Sequence, residues 1–263
     1  MTDPVSDTAA RDELGYASYP SLRGRTVFVT GGATGIGAEF VTQFASQGAR
    51  VGFIDVNEKA AAELQGKLGT AAWYRAADVT DLSQLRAAIE ACAQALGPVD
   101  VLINNAASDE RRLFDDITEQ FWDEKFQLNL RPFFFAAQAA APGMRARGRG
   151  SIINLGSITW HAGFADLAVY SAAKAAIEGL TRSLARDLGS AGVRVNCLIP
   201  GWTMTHRQLT DWVTPEAERE IERAQCLSGR VMPADVARMA LWLAADDSRM
   251  CTSQTWVVDG GWI

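Results

Sequence analysis

A glycine-rich turn between an apolar segment and an amphipathic segment is the feature that most constrains how this chain can fold. Residues 25–30 predict a short buried strand, and residues 31–37 follow with the spacing Gly-x-x-x-Gly-x-Gly. Apolar residues at helical spacing then continue to Gly48. Glycines let the backbone of such a turn approach a pyrophosphate, which the free N–H groups at the helix start can bind. The glycines alone also fit a plain structural turn, but their context favours a dinucleotide site.

An acidic residue follows the next predicted strand. Residues 49–54 form that strand, and Asp55 comes directly after it. A carboxylate at this position accepts hydrogen bonds from the adenosine ribose and repels a 2′-phosphate. The turn contains no Lys or Arg, and the nearest cation after the acid is Lys59. This pattern favours NAD over NADP, and the alternative is that Asp55 caps the helix that begins near Asn57.

Predicted strands and helices alternate along the rest of the chain. The further strands that the apolar runs predict lie at residues 99–103, 151–155, 193–199 and 256–258. Residues 118–146 predict one long helix or a bent pair with a kink near Pro132, and residues 169–189 predict another helix. Alternation of this kind indicates an α/β fold, a doubly wound parallel sheet of about seven strands with helices on both faces.

The length of 263 residues allows one α/β domain or two small ones. We find no linker rich in Pro, Gly or Ser and no repeat, so we expect one domain over residues 21–263. Residues 1–20 are expected to form a flexible N-terminal arm, since their polar, acidic start is neither a signal peptide nor a membrane span. Residues 202–229 interrupt the alternation and predict a mobile substrate lid with a short helix from about Pro215, or else a plain surface excursion.

Composition argues against several classes of function. A net charge of −6 and the absence of a basic stripe argue against binding to nucleic acid. No apolar run is long enough to cross a membrane. Four widely separated cysteines and only two histidines argue against a metal site. We therefore expect reduced thiols in a cytoplasmic protein.

A phenol and an ammonium group are spaced to share one face of a helix. Tyr170 and Lys174 lie four positions apart, and Ser157 precedes them. A nearby positive charge lowers the pKa of tyrosine from its usual value of about 10, which would let Tyr170 accept a proton near neutral pH. This spacing alone is more typical of a surface pair, and the dinucleotide unit upstream is what favours catalysis.

The ordered motifs are similar to those of the short-chain dehydrogenase/reductase family over residues 21–263. The further segments that carry the resemblance are Asp78-Val79, Asn104-Asn105-Ala106-Ala107 and Pro200-Gly201 with Thr203 and Thr205. Ala107 stands where the family usually has glycine. The resemblance implies a Rossmann-type fold and NAD as the cofactor.

The resemblance also implies roles for individual residues. The implied catalytic residues are Asn129, Ser157, Tyr170 and Lys174. The implied cofactor-binding residues are Gly31, Thr34, Gly35, Ile36, Gly37, Asp55, Asp78, Val79, Asn105, Ala106, Tyr170, Lys174, Pro200, Gly201, Thr203 and Thr205. In this scheme Tyr170 takes the substrate proton, Ser157 holds the substrate oxygen, Lys174 holds the nicotinamide ribose and Asn129 anchors a water that relays the proton from Lys174.

Several segments are similar to the bacterial NAD-dependent dehydrogenases that oxidise D-xylose and other aldopyranoses to lactones. These segments are residues 19–22, 108–111, 156–161 and 224–227. Residues 202–206 differ from that group, so L-arabinose, D-galactose, L-fucose or another secondary alcohol or ketone remain alternatives. Ser157 and Tyr170 would contact the sugar, and the other candidates are Asp109, Glu110, Trp160, His161, Trp202 and Arg207. For these other candidates a packing or surface role is the alternative.

Two other functions are open at this stage. A reductase acting on an acyl carrier protein would favour NADPH and a basic docking patch, which this sequence does not indicate. A regulator that senses NAD without turnover could lose catalytic residues, but the four implied ones are present. The resemblance further implies a homotetramer that pairs through the helical segments 118–146 and 169–189.

Overall fold

A parallel sheet of seven strands organises residues 15–263, the part of the chain that this computed structural model describes. The predicted arm over residues 1–20 falls largely on residues 1–14, which lie outside the described residues. The strands, in chain order, are β1 Thr26–Thr30, β2 Arg50–Asp55, β3 Ala72–Ala76, β4 Val101–Asn104, β5 Gly150–Leu155, β6 Val193–Pro200 and β7 Thr255–Val258. They lie in the order β3-β2-β1-β4-β5-β6-β7. The predicted fold class is thus confirmed.

Helices connect these strands across both faces of the sheet. They are α1 Gly35–Ser46, α2 Glu58–Leu68, α3 Leu82–Leu96, α4 Glu119–Asn129, α5 Arg131–Arg147, α6 Thr159–Ala162, α7 Ala168–Gly189, α8 His206–Asp211, α9 Pro215–Ala224 and α10 Pro233–Ala244. Short 3₁₀ segments lie at Pro20–Leu22, Gly69–Ala71, Phe114–Asp116 and Asp246–Ser248. Helices α1 and α10 pack together, as do α3 and α5.

Strand β1 shows why the strand sequences are apolar on both faces of the sheet. Successive side chains of a strand point to opposite faces. Val27 and Val29 belong to one buried cluster with Phe44 of α1, whereas Phe28 belongs to another with Leu85 of α3. Because both faces are covered, β1 is buried along its whole length.

The strand order reverses between β1 and β4. Val27 of β1 pairs with Val51 of β2 on one side and with Val101 of β4 on the other. In open parallel sheets the carboxyl ends of the strands at such a reversal leave a crevice where ligands bind. The glycine-rich turn after β1 opens into this crevice.

The helical segment 118–146 is a bent pair. Helix α4 ends at Asn129 and α5 begins at Arg131, with Leu130 at φ −129° and ψ −54° between them. Pro132 lies in the first turn of α5, where its missing N–H leaves no hydrogen bond unmade. The kink therefore lies next to the residue that predicted it.

Several elements were not located from the sequence. They are the edge strand β3, the helices α3, α6 and α10, and the short helix α8 within the predicted lid. Helix α9 begins at Pro215, where the lid helix was predicted. Within residues 15–263, every helix is too short or too polar to cross a membrane.

Candidate active site

A cleft of about 660 Å³ lies at the carboxyl ends of the strands. It is lined by the turn after β1, the ends of β2, β4 and β5, the start of α7, and α8. The cofactor residues implied by resemblance all line this cleft, except Gly201 and Thr203, which line a smaller cavity beside it. The structure thus brings residues that are far apart in sequence to one edge of the sheet.

The glycine-rich turn is held tightly against the end of β4. The Asn105 amide donates to the carbonyl oxygens of Thr30 and Gly31, at 3.0 and 2.8 Å. A Cβ atom built at Gly37 would overlap the Gly31 carbonyl oxygen and lie 2.7 Å from Nδ2 of Asn105. Gly35 has φ +56°, a conformation that side chains disfavour. The turn therefore has the close-packed backbone that a pyrophosphate cradle requires.

Asp55 points back toward that turn. Its Oδ2 accepts a hydrogen bond from the backbone N–H of Ala33 at 2.9 Å, and its Oδ1 accepts one from Asn57 at 2.9 Å. The cap of α2 is instead Asn57, whose side chain accepts from the N–H of Ala60 at 3.1 Å. Asp55 is thus fixed at the rim of the cleft and is not the capping residue of α2.

Ser157, Tyr170 and Lys174 meet where α7 passes the end of β5. Lys174 is only 1% exposed, and its Nζ donates to the carbonyl oxygen of Leu155 at 2.7 Å. The same Nζ lies 5.6 Å from the centroid of the Tyr170 ring. Tyr170 and Ser157 line the same cavity, and Ser157 lowers the pKa of Tyr170. The structure therefore joins these three residues, as the sequence predicts.

The pKa of Tyr170 differs from the expectation that Lys174 lowers it. Burial raises the pKa of Tyr170 well above its usual value, and the negative charge of Asp109 raises it further. The hydrogen bond with Ser157 and the charge of Arg207 act in the opposite direction. Burial also lowers the pKa of Lys174 to about 8. Desolvation, which disfavours the charged phenolate, is the largest influence on the pKa of Tyr170 in the folded chain.

Asn129 contacts the loop that follows β4. It is fully buried at the end of α4. Its Oδ1 accepts from the N–H of Ser108 at 2.8 Å, and its Nδ2 donates to the Ser108 carbonyl oxygen at 3.1 Å. The Asn129 side chain therefore fixes the loop after β4, and its part in a proton relay from Lys174 stays a prediction.

The smaller cavity adjoins the cleft and measures about 180 Å³. Of the predicted substrate residues, Ser157, Tyr170, Asp109 and Trp202 line it. The sequence did not single out three further lining residues, namely Arg111, Phe164 and Gln208. A substrate held here would contact the Tyr170 hydroxyl on one side and the Asp109 carboxylate on another.

Helix α8 closes one side of this cavity. Gln208 Nε2 donates to Oδ2 of Asp109 at 2.7 Å, and Gln208 Oε1 accepts from Nε1 of Trp202 at 2.9 Å. Arg207 Nη1 lies 2.9 Å from Oδ1 of Asp109. Arg207 itself lines the larger cleft.

Aromatic rings form another part of the wall of the smaller cavity. Phe164 meets Trp202 edge to face with centroids 5.9 Å apart, and Trp262 lies 5.5 Å from Phe164. The Arg111 guanidinium stacks over Trp212 at 4.2 Å and lies 5.7 Å from Trp202. Trp262, near the C-terminal end, packs against the lining residues Phe164 and Trp202, although no local pattern marks it.

Three other sugar candidates lie elsewhere. Nε1 of Trp160 donates to Oε1 of Glu178 at 2.7 Å, and Nε2 of His161 lies 3.0 Å from the same oxygen. Glu110 pairs with Lys125 and with an arginine of its own loop. The indole of Trp160 therefore braces α6 against α7.

Comparison with known proteins agrees with this geometry. A family model described as enoyl-(acyl carrier protein) reductase matches residues 31–263. The chain is 46% identical over 252 residues to the D-xylose 1-dehydrogenase of Caulobacter vibrioides (strain NA1000 / CB15N), covering 95% of this chain and 100% of that protein. It is 42% identical over 252 residues to the probable galactose dehydrogenase of Rhizobium meliloti (strain 1021), covering 94% and 98%.

A solved structure is similar over nearly the whole chain. It is that of a blue fluorescent protein from a metagenomic library in complex with NADPH, with a TM-score of 0.85 and 36% identity. The match covers 92% of this chain and 99% of that one. This protein therefore belongs to the short-chain dehydrogenase/reductase family, and it is an oxidoreductase with a dinucleotide-binding fold.

Proposed function

We propose that this protein oxidises an aldopyranose at C1 with NAD and gives the sugar lactone, with D-xylose as the first choice of substrate. The observation that carries the proposal is the small cavity that joins Tyr170 and Ser157 to the carboxylate of Asp109 and the indole of Trp202. A sugar presents hydroxyls to polar groups and C–H faces to aromatic rings. The identity to proteins named for D-xylose and galactose supports the same substrate class.

The mechanism that we propose assigns each step to a named group. Tyr170, as phenolate, takes the proton of the anomeric hydroxyl, and Ser157 donates a hydrogen bond to the same oxygen. NAD, when bound, supplies the acceptor for the hydride that leaves C1. Because burial disfavours the phenolate, this role needs positive charge nearby. The charge of Arg207 acts in that direction, and the Nζ of Lys174 lies 5.6 Å from the centroid of the Tyr170 ring. Asn129 positions the loop that carries Asp109.

We propose NAD as the preferred cofactor because of Asp55. Both of its oxygens already accept backbone hydrogen bonds, yet each retains a lone pair for a ribose hydroxyl. A 2′-phosphate at the same place would meet a carboxylate. One structural relative is in complex with NADPH, so the proposal of NAD for this chain rests on the local charge of Asp55.

The size of the cavity favours a monosaccharide over larger substrates. Pockets for drug-sized ligands measure about 300–1,000 Å³, whereas this cavity measures about 180 Å³. A steroid or an acyl chain would need more room. A sensor that binds NAD without turnover would not need Ser157, Tyr170 and Lys174 to meet.

We further propose a cytoplasmic homotetramer in which residues 21–263 form one domain and residues 202–229 act as the lid. The four cysteines are free, as a reducing compartment requires. Trp122 on α4 and Phe134 on α5 are 44% and 40% exposed, which supports pairing through these helices. Light scattering at micromolar concentration tests the tetramer, and a monomeric mass would contradict it.

The decisive experiment measures NAD reduction with a panel of free aldoses. The panel contains D-xylose, L-arabinose, D-galactose and L-fucose, and the lactone product is identified by mass spectrometry. We expect turnover with D-xylose and weaker turnover with some of the others, since one group in a pocket discriminates by only about 1–3 kcal/mol. If no aldose exceeds the background of the Tyr170→Phe variant, the sugar proposal is wrong.

A further inference from the structure

The carboxylate of Asp109 is fixed through both of its oxygens by one short helix. Oδ1 contacts Nη1 of Arg207 at 2.9 Å, and Oδ2 accepts from Nε2 of Gln208 at 2.7 Å. Gln208 is itself held by the Trp202 indole at 2.9 Å. The carboxylate, the amide and the indole therefore form one connected unit at the edge of the smaller cavity.

The backbone next to Asp109 is fixed as well. The buried side chain of Asn129 holds both the N–H and the carbonyl oxygen of Ser108. The position of Asp109 is thus set from α4 on one side and from α8 on the other. A group restrained in this way keeps its geometry before a ligand arrives, which reduces the cost of binding.

The remaining hydrogen-bonding capacity of this carboxylate selects the kind of partner. An ionised carboxylate is acceptor-only and has about four lone-pair sites on its two oxygens. Arg207 and Gln208 occupy one site on each oxygen, so one site on each remains. The Asp109 side chain is 24% exposed and lines the cavity, so these sites can reach a ligand. Two acceptors on neighbouring oxygens match two donors on neighbouring atoms.

From this geometry we infer that Asp109 reads a pair of adjacent hydroxyls on the sugar, and that Arg207 and Gln208 are positioning residues for it. The inference rests on the proposed sugar oxidation and narrows it to substrates with an intact vicinal diol. A sugar that lacks one of the two hydroxyls leaves one oxygen of the Asp109 carboxylate without a hydrogen-bond donor from the substrate. Sites built around such a hydrogen bond reject the incomplete analogue strongly.

The first test compares D-xylose with its monodeoxy analogues that lack the hydroxyl at C2, C3 or C4. The activities are measured at saturating NAD. We expect a loss of at least about 100-fold in kcat/KM, relative to D-xylose, for two of the three analogues, and the hydroxyls missing from these two should belong to adjacent carbons. We expect Asp109→Asn to lower kcat/KM for D-xylose and to reduce the loss for those same two analogues at least about tenfold. Equal losses for all three analogues, or losses that Asp109→Asn leaves unchanged, would overturn the inference.

The matched control is Glu110→Gln, which removes a carboxylate from the neighbouring position. Glu110 faces Lys125 and Arg112, away from the cavity. We expect this variant to keep the analogue profile of the wild type. If Glu110→Gln relaxes the profile as much as Asp109→Asn does, the effect comes from the net charge of the loop and the inference is wrong.

The second test addresses the positioning residues. Arg207→Gln and Gln208→Met should each raise KM for D-xylose more than they lower kcat, and each should relax discrimination against the same two analogues. Arg207→Lys should restore part of that discrimination, because the contact with Asp109 is a single N–O pair. Arg207 also lines the dinucleotide cleft, so KM for NAD is measured in parallel.

The outcomes separate this inference from the proposed function. If wild-type protein oxidises no aldose, the proposed function fails. If it oxidises aldoses while Arg207→Gln and Gln208→Met retain the wild-type analogue profile, the function stands and the positioning role is wrong. A purely structural role would change thermal stability and kcat without changing which analogues are rejected.

Discussion

The two cavities of this active site are built from different parts of the chain. The dinucleotide cleft is shaped mainly by backbone at strand ends, where Asn105 binds carbonyl oxygens of the glycine-rich turn and Gly37 leaves no room for a side chain. The substrate cavity is shaped by side chains from separate loops, among them Asp109, Phe164 and Gln208. The backbone cradle suits a dinucleotide, which stays the same whichever substrate reacts. The side chains of the substrate cavity stand on loops, so they can change without disturbing the sheet.

Tyr170 lines both cavities. Replacing it with phenylalanine should abolish most of the catalytic activity while leaving the shape of both cavities intact. We expect Tyr170→Phe to lower kcat about 10²- to 10⁴-fold, the range typical of a lost general base. NAD affinity should stay close to the wild-type value, because only one oxygen is removed from a buried helix face. Steady-state kinetics with titration of NAD binding test this. A variant that keeps more than about a tenth of the wild-type kcat would contradict the role.

Gly37→Ala should damage the backbone cavity first. The added methyl group would overlap the Gly31 carbonyl oxygen, and overpacking of this kind costs about 1–3 kcal/mol. We therefore expect NAD affinity to fall about 10- to 100-fold, measured by calorimetry. Gly66→Ala is the control, because a Cβ there meets open space within helix α2. Loss of NAD binding in the control, or none in Gly37→Ala, would show that the turn is not a tight cradle.

The contrast between the cavities also explains what the sequence could predict. The glycine-rich turn, Asp55 and the Tyr170–Lys174 pair are local patterns whose spacing fixes their geometry, so they could be located before the fold was known. Family, fold and most strands followed from such patterns. The edge strand β3 was not located, because its apolar run is short and ends at Arg75.

The substrate wall depends on contacts that no local pattern encodes. Gln208 reaches Asp109 across 99 residues of sequence, and Trp262 joins Phe164 from the C-terminal end. Trp160 follows Ser157 closely and is an attractive sugar contact in sequence, yet α6 turns its indole toward Glu178. The raised pKa of Tyr170 was missed for a related reason, since burial is a property of the folded chain.

Asp55→Asn should change cofactor choice with a smaller effect. The amide oxygen can still accept the hydrogen bond from Ala33, while the charge that repels a 2′-phosphate is lost. We expect the ratio of kcat/KM for NAD over NADP to fall about tenfold, within the range for one charge pair at intermediate dielectric. Glu58→Gln, which removes an exposed carboxylate from the first turn of α2, should leave the ratio nearly unchanged. If the wild-type ratio already favours NADP, the cofactor proposal is wrong.

The smallest expected effects come from charges on the substrate side that act on Tyr170 through space. Asp109 raises the pKa of Tyr170 and Arg207 lowers it. The base is active when deprotonated, so kcat/KM should rise with pH through its ionisation. Asp109→Asn should therefore move the pH profile of kcat/KM to lower pH and Arg207→Gln should move it to higher pH. This shift alone should change kcat/KM at a fixed pH by less than about tenfold, apart from any loss of substrate recognition. Glu110→Gln is the control, because it removes the same charge as Asp109→Asn but from a carboxylate that is paired with Lys125. The pH dependence of kcat/KM in this variant should match that of the wild type. Shifts of the same sign in Asp109→Asn and Arg207→Gln would mean that altered packing, and not charge, governs the ionisation of Tyr170.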